Sequence, residues 1–324
     1  MLWHDAPMSV SSSRRMRIAT RGSQLALWQA NHVKARLAEV APTVEVQLIV
    51  LTTSGDRILD TTLAKIGGKS LFVKEIEQAL IEDAADLAIH SMKDVPPQLA
   101  DGLRICAVST GEAPNDALCA RRPITIDTLP QGARVGTSSM RRQCQLLARR
   151  PDLQIAMLRG NVPTRIAKLD AGDYDAIVLA EAGLRRLGLG ARITEVISSE
   201  ICLPAVAQGV LGLECRNDDT WAAELAVLAL HDEASGVRIA AERSFLAAMG
   251  GSCSTPLAAH AQLRGTATDG ELTITGLCGM PDGSRILRHT EVGAAGDAVA
   301  LGARLADALL ARGAREILTA TAAL

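Results

Sequence analysis

Aromatic side chains make up only 2% of the 324 residues, too few to build stacking platforms for single-stranded nucleic acid. Neither sign of charge dominates. The formal net charge of -2 argues against a large footprint on a phosphate backbone, so no nucleic-acid partner is expected. No apolar stretch is long and uninterrupted enough to span a bilayer, and no membrane partner is expected. Residues 1–15 are polar and Ser-rich, lack the apolar centre of a secretory signal, and read as a disordered extension. The six histidines are scattered, and the seven cysteines lack the paired short spacing of a zinc site, so no metal is expected. An odd number of cysteines suits a reducing, cytoplasmic compartment. A Walker-type phosphate loop is also missing, which argues against a nucleotide ligand.

What is present is alternation. From about residue 17 to about 231, short apolar runs exchange with amphipathic segments. Strands are expected over 17–20, 44–51, 86–90, 102–108, 134–137, 154–158 and 175–179. Helices are expected over 71–81, 139–149, 163–169 and from Ser23, a good N-cap for the stretch carrying Leu25, Trp28, Val33 and Leu37. Such alternation implies α/β architecture with mainly parallel sheets. Two blocks of it are separated near 110–127, where Gly, Pro, Asn and Arg accumulate. A third region after about 232 has a helix (234–248), three strands (258–264, 271–278, 286–292) and an Ala/Leu-rich final helix, the pattern of a small α+β domain.

Open α/β sheets bind ligands beyond the C-terminal ends of their strands. Here those ends carry Arg21, then Ser91-Met92-Lys93-Asp94, then Thr137-Ser138-Ser139-Met140-Arg141-Arg142, then Arg159 with Arg165, and finally Arg185-Arg186. One arginine beside a strand is ordinary surface charge. Five such junctions point to planar, bidentate recognition of anions, and without a phosphate loop a small polycarboxylate fits best. Asp94 is the acidic member. Pro96 and Pro97 push Val95 toward extended backbone, and on an extended segment Lys93 and Asp94 would face opposite sides. A carboxylate among arginines suits stabilisation of a developing cation. A turn-capping aspartate in a surface ion pair accounts for the same spacing equally well. Cys253, in Gly250-Gly251-Ser252-Cys253-Ser254-Thr255-Pro256, sits among small residues in an accessible loop, unlike cysteines with apolar neighbours such as Cys106. The run 67–72 reads as a loop ending at Phe72, either a lid or a plain connector.

These segments, in order from about Arg17 to about Leu318, resemble the porphobilinogen deaminase (hydroxymethylbilane synthase) family of tetrapyrrole biosynthesis. The carriers are 17–21, 67–75, His90-Ser91-Met92-Lys93-Asp94-Val95-Pro96, 135–145, 158–161, 174–188, 203–209 and the cysteine loop. The resemblance implies two domains like those of type 2 periplasmic binding proteins, residues 16–109 with 209–231 and residues 110–208. A C-terminal α+β domain, 232–324, would bear the cysteine. It further implies a dipyrromethane cofactor held covalently through Cys253, with porphobilinogen as the small-molecule substrate. Four molecules of it would be joined head to tail with loss of ammonia, and hydroxymethylbilane released. By matching position, Asp94 would be catalytic. Lys93, Ser91, Thr137, Ser139, Arg141 and Arg142 would bind the cofactor. Arg21, Arg159, Arg165 and Arg186 would bind substrate carboxylates, and Phe72 would stack on a pyrrole.

The chain departs from the family at Ser252, Ser70 and Ala207, where glycine is usual or frequent; none of these removes a functional group. A non-catalytic carboxylate-binding protein of the same two-lobed architecture would also explain the arginines, but not Cys253 or the third domain. Nothing points to an obligate assembly, so a monomer is expected.

Overall fold

The computed structural model describes residues 14–53, 73–252 and 255–322. In chain order the elements are β1 (Arg15–Arg21), α1 (Gln24–Val40), β2 (Glu45–Leu51), α2 (Lys74–Ile81), β3 (Leu87–Ser91), β4 (Leu103–Val108) and β5 (Asp116–Ala120). Next come β6 (Arg134–Gly136), α3 (Met140–Arg149), β7 (Gln154–Ala156), α4 (Val162–Asp170), β8 (Ala176–Ala180), α5 (Glu181–Arg186) and β9 (Glu195–Ile197). The chain ends with β10 (Leu211–Arg216), α6 (Thr220–Leu230), α7 (Glu233–Ala248), β11 (Leu257–Arg264), β12 (Glu271–Gly279), β13 (Ile286–Ala294), α8 (Ala298–Ala311) and α9 (Ala314–Ala322).

Two five-stranded sheets form, ordered β2-β1-β3-β10-β4 and β7-β6-β8-β5-β9. They are mixed rather than uniformly parallel. In the first, β10 runs antiparallel to both β3 and β4; in the second, β5 runs antiparallel to both β8 and β9. These two reversed strands are where the chain enters the second sheet and where it returns to the first. The entering strand, Asp-Ala-Leu-Cys-Ala, is buried along its whole length, yet it lies in the stretch that composition alone marks as a connector. The third sheet is an antiparallel meander, β11-β12-β13, covered by α7 and α8.

Local chemistry fixes the helix starts. Ser23 Oγ accepts from Ala26 N at 3.3 Å and Ser139 Oγ from Arg142 N at 3.4 Å, while Asn161 Oδ1 accepts from Thr164 N at 3.0 Å, with Pro163 in the first turn of α4. The final helix expected from composition is two helices. Gly313, at φ +94, turns the chain between α8 and α9.

The apolar core of the third domain does not stop at its own sheet. Phe245, Leu257, Ile274, Leu301 and Leu305 form one cluster with Met92, Val95, Val206, Ala207 and Val210. The turn carrying Lys93 and Asp94 is therefore anchored in the same core as the return crossing between the two sheets. Among the described residues, no helix is long and apolar enough to cross a membrane.

Candidate functional site

Met92–Asp94 form a single 3-10 turn at the end of β3, and Val95 resumes extended backbone at φ -83, ψ 123. Extended backbone, which Pro96 and Pro97 favour, would set Lys93 and Asp94 on opposite sides. On a 3-10 turn they diverge by about a third of a revolution instead, and the charge of Asp94 acts on the Lys93 ammonium. Met92 is the anchor of this turn. It is buried, and its sulfur occupies the space that a side chain at Gly212 would need: a Cβ there would meet Met92 Sδ at 2.1 Å.

Facing this turn, Ser139 caps α3 so that Arg141 and Arg142 leave its first turn. Both guanidiniums grip one carboxylate, Asp116 at the start of β5. Arg141 Nη1 lies 2.7 Å from Asp116 Oδ2 and Arg142 Nη2 lies 2.7 Å from Asp116 Oδ1. Arg141 Nη1 also donates to Leu203 O at 2.7 Å, and Arg142 Nη1 to Val178 O at 2.8 Å. All three side chains are buried, Asp116 completely. Burial alone would push the Asp116 carboxyl upward, but Arg141 and then Arg142 hold it far below the usual carboxylate range. Burial likewise works against the Arg141 charge, and Asp116 more than offsets it. Arg142 Nε is buried with no hydrogen-bond partner.

Cations then crowd this centre. Desolvation pushes the Lys93 ammonium down to about 8, with Arg142 and Arg141 adding repulsion and Asp94 and Asp116 opposing it. Desolvation also pushes Arg165 down to about 10, helped by Arg142 and Arg159 and resisted by Asp94. Arg159 is lowered by burial. Crowded, partly dehydrated cations of this kind suit a ligand carrying several negative charges.

The remaining expected residues have varied placements. Ser91 Oγ accepts from Gln29 Nε2 at 2.9 Å. Thr137 Oγ1 accepts from Ser139 N at 3.2 Å, so both hydroxyls of that pair are tied to the start of α3. Arg165 Nε donates to Gly160 O at 2.7 Å. Arg21 lies at the C-terminal end of β1. Arg186 stands apart from the cluster. It donates to Glu112 Oε2 at 3.1 Å and to Gly209 O at 2.8 Å, its guanidinium lies over Trp28, and burial lowers it. Cys253 and Phe72 lie outside the described residues.

Two residues of this centre escaped the sequence reading, Asp116 and Gln208. The signal for Asp116 was a lone charge opening an otherwise apolar five-residue strand. Gln208 gave no local signal.

The family model described as "Porphobilinogen deaminase, dipyromethane cofactor binding domain" matches residues 16–224, and "Porphobilinogen deaminase, C-terminal domain" matches 237–311. The chain belongs to the porphobilinogen deaminase family. The deaminase is a transferase of tetrapyrrole biosynthesis that joins porphobilinogen units on a dipyrromethane cofactor to give hydroxymethylbilane. The centre fits that cofactor on its own terms: a dipyrromethane bearing carboxylate side chains would bring negative charge to the crowded cations Lys93, Arg142 and Arg165.

Among solved structures the deaminase is similar to the periplasmic aliphatic sulphonate binding protein SsuA from Escherichia coli, at 14% identity and a TM-score of 0.40, over 74% of this chain and 71% of that one. It is also similar to the BvgS VFT2 domain of Bordetella pertussis, at 15% identity and a TM-score of 0.38, over 71% of this chain and 92% of that one. A TRAP periplasmic solute binding protein from Desulfovibrio salexigens is similar at 12% identity and a TM-score of 0.38, over 67% and 71%.

Proposed function

We propose that Asp94 is the catalytic carboxylate of this deaminase and that Cys253 carries the cofactor through a thioether. The observation that supports the reading is the shared field of the centre: Asp94 is the anion opposing the desolvation of both Lys93, beside it in sequence, and Arg165, on α4. A cation generated when ammonia leaves porphobilinogen would meet Asp94, while the arginines bind carboxylates at the substrate's periphery. Electrostatic stabilisation of this kind acts most strongly where water is excluded. The cofactor, when bound, supplies the pyrrole carbon to which the first substrate unit is joined.

In this reading Lys93, Ser91, Thr137, Ser139, Arg141 and Arg142 form the cofactor side of the site. For Arg141 and Arg142 the contact would be shared with Asp116, and for Thr137 and Ser139 it would run through the α3 start they hold. Arg21, Arg159, Arg165 and Arg186 serve the substrate and growing chain, with Phe72 stacking on a pyrrole. Domain 1 comprises 16–109 with 209–231, domain 2 comprises 110–208 and domain 3 comprises 232–324. The enzyme works as a cytoplasmic monomer.

Asp94→Asn tests the catalytic role. It should keep the wild-type melting temperature and lower kcat by roughly 100-fold or more, the scale for removing one electrostatic stabiliser; wild-type turnover would refute it. Mass spectrometry tests the attachment. The tryptic peptide 244–264 should carry two pyrrole units in protein from cells that make porphobilinogen, and an unmodified thiol there would end that assignment.

A further inference from the structure

We propose that Gln208 is a positioning residue for this reaction, a neutral bridge that registers Lys93 on the first sheet to the Asp116 clamp on the second. The inference rests on the roles proposed above for Lys93, Arg141 and Arg142. Gln208 lies in the return crossing between β9 and β10, with 4% of its surface exposed. Its Nε2 donates to Pro114 O at 2.6 Å and to Asp116 Oδ1 at 3.0 Å, and its Oε1 accepts from Lys93 Nζ at 3.3 Å.

The chemistry of the three partners fixes the carboxamide's orientation. A backbone carbonyl and an ionised carboxylate only accept, and an ammonium only donates, so the nitrogen must face Asp116 and the oxygen must face Lys93. No charged residue could replace it. A carboxylate at 208 would oppose Asp116, and a cation would oppose Lys93. A neutral side chain with a donor at one tip and an acceptor at the other satisfies both.

The backbone on either side is fixed by separate contacts. Ala207 N donates to Glu242 Oε2 at 2.6 Å, a buried carboxylate of α7 whose other oxygen accepts from Ala261 N at 2.7 Å. Gly209 O accepts from Arg186 at 2.8 Å, and at φ +90 a Cβ on Gly209 would lie 2.6 Å from Glu112 O. Three consecutive residues thus tie the third domain, the second sheet and the Lys93 turn together. Gln208 is the one that reaches the centre. Its consequence for the reaction is that Lys93, neighbour of Asp94, keeps a set distance from the anion that aligns Arg141 and Arg142.

The test is a double-mutant cycle on cofactor-loaded enzyme, reading kcat and KM for porphobilinogen in the wild type, Gln208→Met, Lys93→Met and the double variant, with melting temperatures alongside. Gln208→Met should lower kcat/KM on the order of 10-fold to 100-fold. If Gln208 acts through Lys93, the double variant should be no slower than Lys93→Met alone. Gln208→Met within about twofold of wild type, or a double variant slowed by the product of the two single effects, would overturn the proposal. Lys93→Met at wild-type rates would instead sink the reading of Lys93 on which it rests.

Gln208→Glu gives a second readout, which a merely structural role would not move. Once protonated, its carboxyl regains a donor toward Asp116 while keeping an acceptor for Lys93, so its activity relative to wild type should rise as pH falls. A pH-independent ratio would count against the bridge, also in the case where Gln208→Met does not fold.

Discussion

Replacing Asp116 by Asn removes the single negative charge between two buried guanidiniums while keeping the size of the side chain. Each ion pair spans 2.7 Å between heavy atoms, and charge centres about 4 Å apart interact by about 4 kcal/mol at the effective dielectric of such sites. The amide retains one acceptor oxygen but turns an N–H toward the other guanidinium, so one pair is weakened and the other reversed. Breaking a buried pair by removing one partner costs about 3 to 5 kcal/mol, which for a domain of this size corresponds to a fall in Tm of roughly 10 °C. The loss should depend on the ligand. Protein made in cells unable to synthesise porphobilinogen should show the full fall, and cofactor-loaded protein a smaller one, because the cofactor's carboxylates supply the charge that Asp116 no longer does. The pH course follows from the carboxyl's depressed native value. Its stabilisation is complete above the unfolded value of about 3.9 and is lost only as pH falls toward the much lower native one. The difference in Tm between wild type and variant should therefore be flat from about pH 5 to 7, below the range in which Lys93, which Asp116 also supports, loses its proton. Calorimetry of both forms is the assay. A variant melting within a degree or two of wild type, or an equal fall with and without cofactor, would refute the reasoning.

The Lys93 ammonium is pushed down to about 8 from 10.5, so the unfolded chain holds more protons between those values and wild-type stability should rise with pH across that window. Over the same range the charge available to a bound carboxylate disappears, and KM for porphobilinogen should climb above about pH 8; Lys93→Arg should move that alkaline limb upward, and an unmoved limb would show that Lys93 does not contact the ligand. Gly212→Ala should force Met92 out of its seat beneath Lys93 and Asp94, costing about 1 to 3 kcal/mol as overpacking. It should also lower kcat more than a comparable overpacking change in the core of the third domain; unchanged Tm and kcat together would show that the turn does not depend on that contact.

Much of this centre was legible because it is local. A hydroxyl before an apolar run marks a helix start: Ser23 caps its helix as read, and the helix expected from Ser139 begins one residue later, with Ser139 as its cap. Basic residues just past strand ends mark the functional edge of an open sheet, and Lys93, Arg141, Arg142 and Arg165 do act on one another there. The sequence hid whatever depends on distant pairing. Gln208 meets Asp116 and Lys93 across 92 and 115 residues, and no periodicity carries such a contact. β5 was lost among turn-forming neighbours, and Asp116 with it. The direction of β5 and β10 was hidden for a related reason, since an apolar run has the same pattern whichever way it is threaded. The turn at Met92–Asp94 differs from the expected extended segment because Met92 folds back into the core against Gly212, a constraint set more than a hundred residues later.

The position of β10 also bears on how the polypeptide is made. β4 hydrogen-bonds to the first sheet only through β10, which lies between it and β3. During synthesis, β3 presents a bare edge and β4 has no berth until residue 216 has left the ribosome, by which time all of the second sheet has already emerged. The second sheet can thus be complete before the first one is. An unfinished edge is an invitation to mispairing between nascent chains, so truncations ending before β10 should bind chaperones or precipitate, whereas a separately expressed 110–208 fragment should stay in solution.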